Sequence, residues 1–253
     1  MASKVPEWQN VEGLSFPTKL CTEQCSSSET ARYKAGVVLR EFRRISGTPD
    51  AGPKPRLADM TGGLGVDSWA FSQACSEVFY NEMDTTLAEG VRSNFEKLSV
   101  ANISVHSNEL TPGALRTILD GFAPDIIFLD PARRSDTGRK VFMVEDCRPD
   151  VLTLRDELLD CAALVMVKLS PMADISLLAK QLGDHVSGIH VVGSAGECKE
   201  LLVLMDREYH ESYGITVHEE GSDFSFTPDE EDGASARLCA AENLVGRMLF
   251  EPG

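Results

Sequence analysis

Apolar and polar positions along this chain switch between two periods, and the switches mark its elements. Residues 1–25 show neither period and read as an irregular arm. Ser26-x-x-Glu29 is a capping-box pattern that opens a helix running through about Ile45, with Val38, Phe42 and Ile45 as its apolar stripe. The Pro- and Gly-rich stretch 47–55 breaks the pattern and predicts a loop. Strand and helix then alternate over short connections. Strand Arg56–Ala58 leads through a glycine turn into a helix carrying Val66, Trp69 and Ala70. Strand Val78–Tyr80 precedes a helix with Leu87, Val91, Phe95 and Leu98 on one face. Strand Ile103–His106 follows, with Thr111-Pro112 as the start of the next helix. Residues 125–130 are almost continuously apolar, as expected of a strand buried on both faces of a parallel sheet. A helix over 149–161, a strand Leu164–Leu169 and a helix over 174–182 complete the alternation.

Two further apolar runs, Ile189–Val192 and Leu201–Met205, are separated only by a Gly-containing loop. That gap is too short for a helical crossover and predicts an antiparallel pair. The expected fold is therefore α/β: a doubly wound, Rossmann-like seven-stranded sheet with an antiparallel terminal hairpin, preceded by an N-terminal helix. Its expected division is an arm and helix over 1–55, a ligand-binding domain over 56–207 and a C-terminal extension over 208–253. In the extension, Ile215–Val217 reads as a strand, 219–233 as an exposed acidic loop and 235–249 as a short amphipathic helix. The end at Phe250-Glu251-Pro252-Gly253 reads as a boundary inside a longer protein.

Chemistry concentrates in Asp59-Met60-Thr61-Gly62-Gly63-Leu64-Gly65-Val66-Asp67. Glycines between a strand and a helix let backbone approach a ligand, and the amides of the helix start face it. A dinucleotide fingerprint needs a third glycine where this chain has Ser68, and it has no carboxylate ahead of the turn. Asp59, at the carboxyl end of the strand, would repel a pyrophosphate and suits a ligand with positive charge, such as S-adenosylmethionine. Glu82 lies just past the second strand, where ribose hydroxyls would be accepted.

Charge and cysteines narrow the picture. The net charge is −16, which opposes nucleic-acid binding on its face. It is unevenly spread: 219–232 holds seven acids and no Lys or Arg, whereas 32–56 holds seven basic residues (Arg32, Lys34, Arg40, Arg43, Arg44, Lys54, Arg56). Arg133, Arg134, Arg139 and Lys140 form a second basic cluster. The seven cysteines are scattered and odd in number, which argues for a reducing compartment. No second pair answers Cys21-x3-Cys25, so no metal site is expected. With neither a signal peptide nor a membrane-spanning run, the sequence predicts a soluble, cytoplasmic protein without a membrane partner.

The fourth strand ends in Leu129-Asp130-Pro131-Ala132-Arg133-Arg134. Together with Asp59-x-x-Gly62-Gly63-x-Gly65-x-Asp67 and Glu82, this resembles class I S-adenosylmethionine-dependent methyltransferases. The nearest resemblance is to bacterial THUMP-like methyltransferases, which share Asp-Pro-Ala-Arg-Arg and Lys168-Leu169-Ser170-Pro171. The glycine loop is more distantly similar to that of trimethylguanosine synthases. The resemblance spans roughly residues 15–206. It implies that Gly62, Gly63 and Gly65 pass under the methionine moiety, with Asp59 and Asp67 near its ammonium. It implies Glu82 for the ribose and Ser107-Asn108 near the adenine, with Thr61 and Met83 completing the cofactor set. Asp130 and the Pro131 carbonyl would accept hydrogen bonds from an amine and aim its lone pair at the methyl carbon.

Enzymes of this kind that methylate exocyclic amines carry a second Pro and an aromatic residue where this chain has Ala132 and Arg133. A guanidinium can stack on a base or grip a phosphate, and it can also simply pair with Asp136 or Glu145. The resemblance implies further helices before the chain and a small domain after it. Two functional classes follow: a methyltransferase acting on RNA, favouring an exocyclic base amine, or a catalytically degenerate scaffold that binds RNA or a protein. A hydride-transfer enzyme is a distant third.

Overall fold

The computed structural model describes residues 4–133 and 147–235, with Arg133 described by its backbone. Nine strands among them form one sheet in the order β11-β10-β8-β9-β7-β4-β1-β2-β3. The central strands are β1 (Arg56–Asp59), β2 (Glu77–Asn81), β3 (Ile103–His106), β4 (Ile126–Leu129) and β7 (Leu164–Leu169), all mutually parallel. The chain runs outward from β1 to β2 and β3, then returns to place β4 on the other side of β1. That reversal makes a crevice at the carboxyl ends of β1 and β4, where doubly wound sheets bind ligands.

β9 (Glu197–Asp206) is inserted antiparallel between β7 and β8 (Val186–Ser194). The turn joining β8 to β9 carries Ala195 and Gly196 at φ of 56° and 74°. Such paired positive angles match the twist of an antiparallel hairpin, so the expected terminal hairpin is present. The expected count of seven strands is not: β10 (Gly214–Glu219) runs parallel to β8, and β11 (Ser222–Phe226) pairs antiparallel with β10. The acidic stretch is therefore not a loop. Its Ser222–Phe226 segment is strand β11, and Thr227 and Glu230 form a reciprocal capping box opening α8 (Pro228–Gly233). The helix expected over 235–249 lies outside the described residues.

Helices cover both faces. Leu57, Val78, Ile126, Phe128, Met166 and Leu202 point toward α2 (Ser28–Ser46) and α3 (Val66–Ala74). Ala58, Phe79, Ile127, Val165 and Val203 point the other way, toward α5 (Leu115–Ile118), α6 (Val151–Cys161) and α7 (Ile175–Leu182). Alternate residues of one strand fill opposite faces, which is why the strands read as unbroken apolar runs. α4 (Thr85–Lys97) packs Val91 and Phe95 near Tyr80 and Val105.

Three local expectations shift. The cap of α2 is Ser27, whose side chain accepts from the Thr30 amide, and Ser26 is released to bond Asp67. α5 begins at Leu115, not at Thr111-Pro112, since Gly113 at φ 81° breaks the turn before it. The N-terminal arm is packed rather than loose. Trp8 is buried edge-on against Trp69, α1 (Lys19–Gln24) is capped by Thr18, and Ser15 exchanges backbone–side-chain bonds of 2.6 and 2.8 Å with Asn94 of α4. Among the described residues no helix is long and apolar enough to cross a membrane.

Candidate active site

The three glycines of the turn after β1 do different jobs. A Cβ on Gly62 would lie 2.0 Å from the Tyr80 ring, and one on Gly65 would lie 2.7 Å from Phe95 and 2.9 Å from Val91. These two glycines allow the turn to seat against β2 and α4. Gly63, at φ 54°, has open space where a Cβ would stand, with only the Thr61 carbonyl 4.0 Å away. Of the three, Gly63 alone offers its face to a ligand. Its amide donates to Glu82 Oε2 at 3.0 Å, and its carbonyl accepts from the Tyr80 hydroxyl at 2.6 Å.

The acids divide in the same way. Glu82 is held at both oxygens, by the Gly63 amide and by the Asp84 amide at 2.9 Å, which fixes its carboxylate beside the glycine face. Met83, next to it, is largely exposed. Asn108 sits across from Asn81, which takes the Asn108 backbone amide at 3.0 Å and returns a bond to its carbonyl, also at 3.0 Å. Asp59 is buried beneath the turn, accepting from the Ser68 hydroxyl at 2.6 Å and the Thr61 amide at 3.3 Å. Burial, against those hydrogen bonds, pushes its carboxyl up to about 8, so it is largely protonated at neutral pH. Asp67 points away from the turn, bonded to Ser26 at 2.8 Å and paired with Lys34 at 3.2 Å. Its observed partners come from the α2 side.

Thr61 links the two halves of the crevice, its hydroxyl accepting from the Asp130 amide at 2.6 Å. Asp130 follows β4 directly, and Pro131 is buried behind it. The Asp130 carboxylate is ion-paired to Lys168 of β7. Arg133 lies in a two-stranded ribbon, β5 (Ala132–Arg133) against β6 (Cys147–Arg148), where its backbone pairs with Cys147. Arg134, Asp136, Arg139, Lys140 and Glu145 lie outside the described residues.

Sequence reasoning assigned no role to Lys168, Glu200, Lys34 or Asn81. The available signal was a charge inside an apolar run: Lys168 interrupts Leu164-Val165-Met166-Val167, and Glu200 abuts Leu201–Met205. Lys34 was counted in the basic cluster of 32–56, yet that cluster is no open cationic face. Lys34 is fully buried. Arg32 pairs with Glu7, Arg40 with Glu41 at 3.8 Å, Arg43 with Asp50 at 3.0 Å, Arg44 with Asp206 at 2.8 Å and Arg56 with Glu77 at 3.0 Å. Lys54 donates to the Gln73 carbonyl at 2.8 Å.

No protein-family model matches the chain, and no curated protein matches it. Among solved structures, a protein of Porphyromonas gingivalis W83, provisionally named a methyltransferase, is 30% identical with a TM-score of 0.76, over 95% of this chain and 57% of that one. The chain thus spans little more than half the length of that relative. A human methyltransferase 10 domain-containing protein is 13% identical with a TM-score of 0.57, over 81% of this chain and 95% of that one. An S-adenosylmethionine-dependent methyltransferase of Aquifex aeolicus is 17% identical with a TM-score of 0.49, over 76% of this chain and 100% of that one. The fold is that of the class I S-adenosylmethionine-dependent methyltransferases, with two strands added beyond β8.

Proposed function

We propose that the chain is an S-adenosylmethionine-dependent methyltransferase whose acceptor is an exocyclic amine of an RNA base. The observation that carries the reading is the convergence of the open Gly63 face, the doubly anchored Glu82 and the Asp130-Pro131 corner at the sheet's switch point. The donor set fits the cofactor. Glu82 offers a carboxylate for ribose hydroxyls, the Asp130 carboxylate suits a ligand carrying ammonium and sulfonium charges, and Asp59 braces the turn through Ser68 and Thr61. Gly63, Thr61, Met83 and Asn108 complete its surroundings. Gly62 and Gly65 shape the turn, and Asp67 serves from behind.

When bound, S-adenosylmethionine supplies an electrophilic methyl group. The chain's part is alignment and exclusion of water, since attack by a neutral amine on a sulfonium methyl needs no strong base. Asp130 and the Pro131 carbonyl accept the amine's hydrogens and turn its lone pair toward the cofactor. Arg133 leads from that corner into the β5–β6 ribbon and is assigned to substrate binding, by stacking on a base or gripping a phosphate. The Asp-Pro corner and the resemblance that rests on it favour RNA.

The test is calorimetry with S-adenosylmethionine, followed by transfer of labelled methyl to fractionated RNA. Asp130→Ala should leave cofactor affinity nearly intact and lower turnover about a hundredfold, roughly 3 kcal/mol of lost alignment. Two observations favour a second reading, a degenerate scaffold that binds RNA or a protein. The Asp130 carboxylate already has an ionic partner, and the first basic cluster is internally paired. Cofactor binding without methyl transfer to any RNA or protein fraction would select that reading.

A further inference from the structure

We propose that Lys168 is a positioning residue for Asp130, locked in place by Glu200 and, through Glu200, by Lys34 of α2; the inference rests on the methyltransferase reading of the site. The five side chains form a row of alternating charge running from the N-terminal helix to the acceptor corner. Asp67 Oδ1 lies 3.2 Å from Lys34 Nζ, and Lys34 Nζ lies 2.5 Å from Glu200 Oε1. Glu200 Oε2 lies 4.0 Å from Lys168 Nζ, which binds Asp130 Oδ2. Side-chain exposure is 0% at Lys34, 4% at Glu200, 14% at Lys168 and 36% at Asp130. Asp67, at the other end, is 11% exposed, so the row is buried at its centre and most open at Asp130.

Buried charges of this kind persist only when each is matched, because an unmatched one costs several kcal/mol. Burial works against the Lys168 charge, but Asp130, Asp67 and Glu200 outweigh it and raise its pKa. Lys168 is thus a permanent cation and no base. It holds Oδ2 of Asp130, and among the described residues Oδ1 has no hydrogen-bond donor.

A purely structural role explains half of the row and not the rest. Lys34, Glu200 and Asp67 join α2 to β9 and α3, so they fasten elements that share no backbone bonds. Lys168 and Asp130 come from β7 and the end of β4, which already pair in register with Leu129 opposite Val167. An ion pair between neighbours already held by the sheet adds little to docking. What it does restrict is the carboxylate of Asp130, whose side chain is otherwise the freest in the row.

The experiment uses the full chain with Lys168→Met, Lys168→Arg and Glu200→Gln, and labelled S-adenosylmethionine with total RNA as the probe. Lys168→Met should lower kcat at least about tenfold, with the KM for RNA and the cofactor Kd within about threefold of the parent. Lys168→Arg should recover most of the loss, and Glu200→Gln should lower kcat in the same direction by less. Crystal structures of the parent and Lys168→Met supply a readout free of turnover: the Asp130 carboxylate should leave its position in the variant. Parent-like kcat in Lys168→Met, or an Asp130 unmoved in its crystal structure, overturns the proposal. If Lys168→Met does not fold, Glu200→Gln decides by the same two measurements. If the parent itself transfers no methyl group, the methyltransferase reading fails, and the crystal structures alone decide the positioning.

Discussion

Single residues separate what the glycine turn does for the fold from what it offers a ligand. Gly65→Ala places a methyl against Phe95 and Val91 at a positive φ, so it should lower the melting temperature. Gly63→Val fills open space instead. It should add only the strain of a left-handed residue, about 1–2 kcal/mol, while abolishing the thermal shift that S-adenosylmethionine produces in the parent. Parent-like ligand response in Gly63→Val would move the cofactor elsewhere. Asp59 adds a pH signature. Its folded pKa of about 8 lies above the ordinary value of 3.8. The stability tied to its proton is complete below the unfolded value and lost as pH rises through about 8. Urea melts at pH 6 and pH 8.5 should show a decline in the parent that is flattened in Asp59→Asn. An equal decline in both proteins would mean that Asp59 is ionised throughout.

Among the elements, α2 departs furthest from its sequence appearance. Its arginines look like a surface for RNA, yet each has an acid beside it, and Lys34 turns inward to Glu200 and Asp67. The helix is fastened to the sheet by a buried ionic contact as well as by the Val37 and Val38 side chains. Lys34→Met removes the cation between two carboxylates and should destabilise the fold by about 3–5 kcal/mol, read by chemical denaturation. A loss below about 1 kcal/mol would show that water or a rearranged Lys168 neutralises the site. The exposed pairs are expected to contribute little: Arg40→Ala should change stability by under about 1 kcal/mol.

At the scale of the whole molecule, the added strands are coupled to the N-terminal helix. Tyr33 of α2 stacks on His218 of β10 at 3.8 Å between ring centres and shares a 2.8 Å hydrogen bond with His190 of β8. His218 in turn pairs with Asp223 of β11 at 2.5 Å. Burial, then Arg40, pushes the His190 imidazole down to about 4 from an ordinary 6.5. Its contribution is present above the unfolded value and is lost as pH falls from 6.5 through 4, because the unfolded chain binds the proton first. Because the Asp59 proton adds stability over the same interval, the readout is the difference between the two proteins: from pH 7 to pH 5, His190→Gln should gain stability relative to the parent in urea melts. A steeper loss in His190→Gln would place the acid sensitivity elsewhere, with His218 as the next residue to substitute.

Much of this molecule was legible in its amino-acid order. The central strands, the helices that follow them and the antiparallel last pair come from periods and gap lengths, which are local properties. The glycine turn with Asp59, Glu82 and the Asp130-Pro131 corner was legible because strand ends in a doubly wound sheet converge on one crevice. The class I methyltransferase fold followed from those residues and is the fold observed. What tertiary structure alone decided is which way polar side chains face. Gly62 and Gly65 answer to Tyr80, Val91 and Phe95; Asp67 turns to α2; and Lys34, Lys168 and Glu200 meet from positions 34, 168 and 200 of the sequence. Edge strand β11 was obscured for a related reason, whereas β10 was legible in Ile215–Val217. An acidic stretch with few apolar residues has no strand period of its own to display, and it becomes a strand by pairing with β10. Charge pairing and edge pairing both depend on partners distant in sequence, and no local pattern records them.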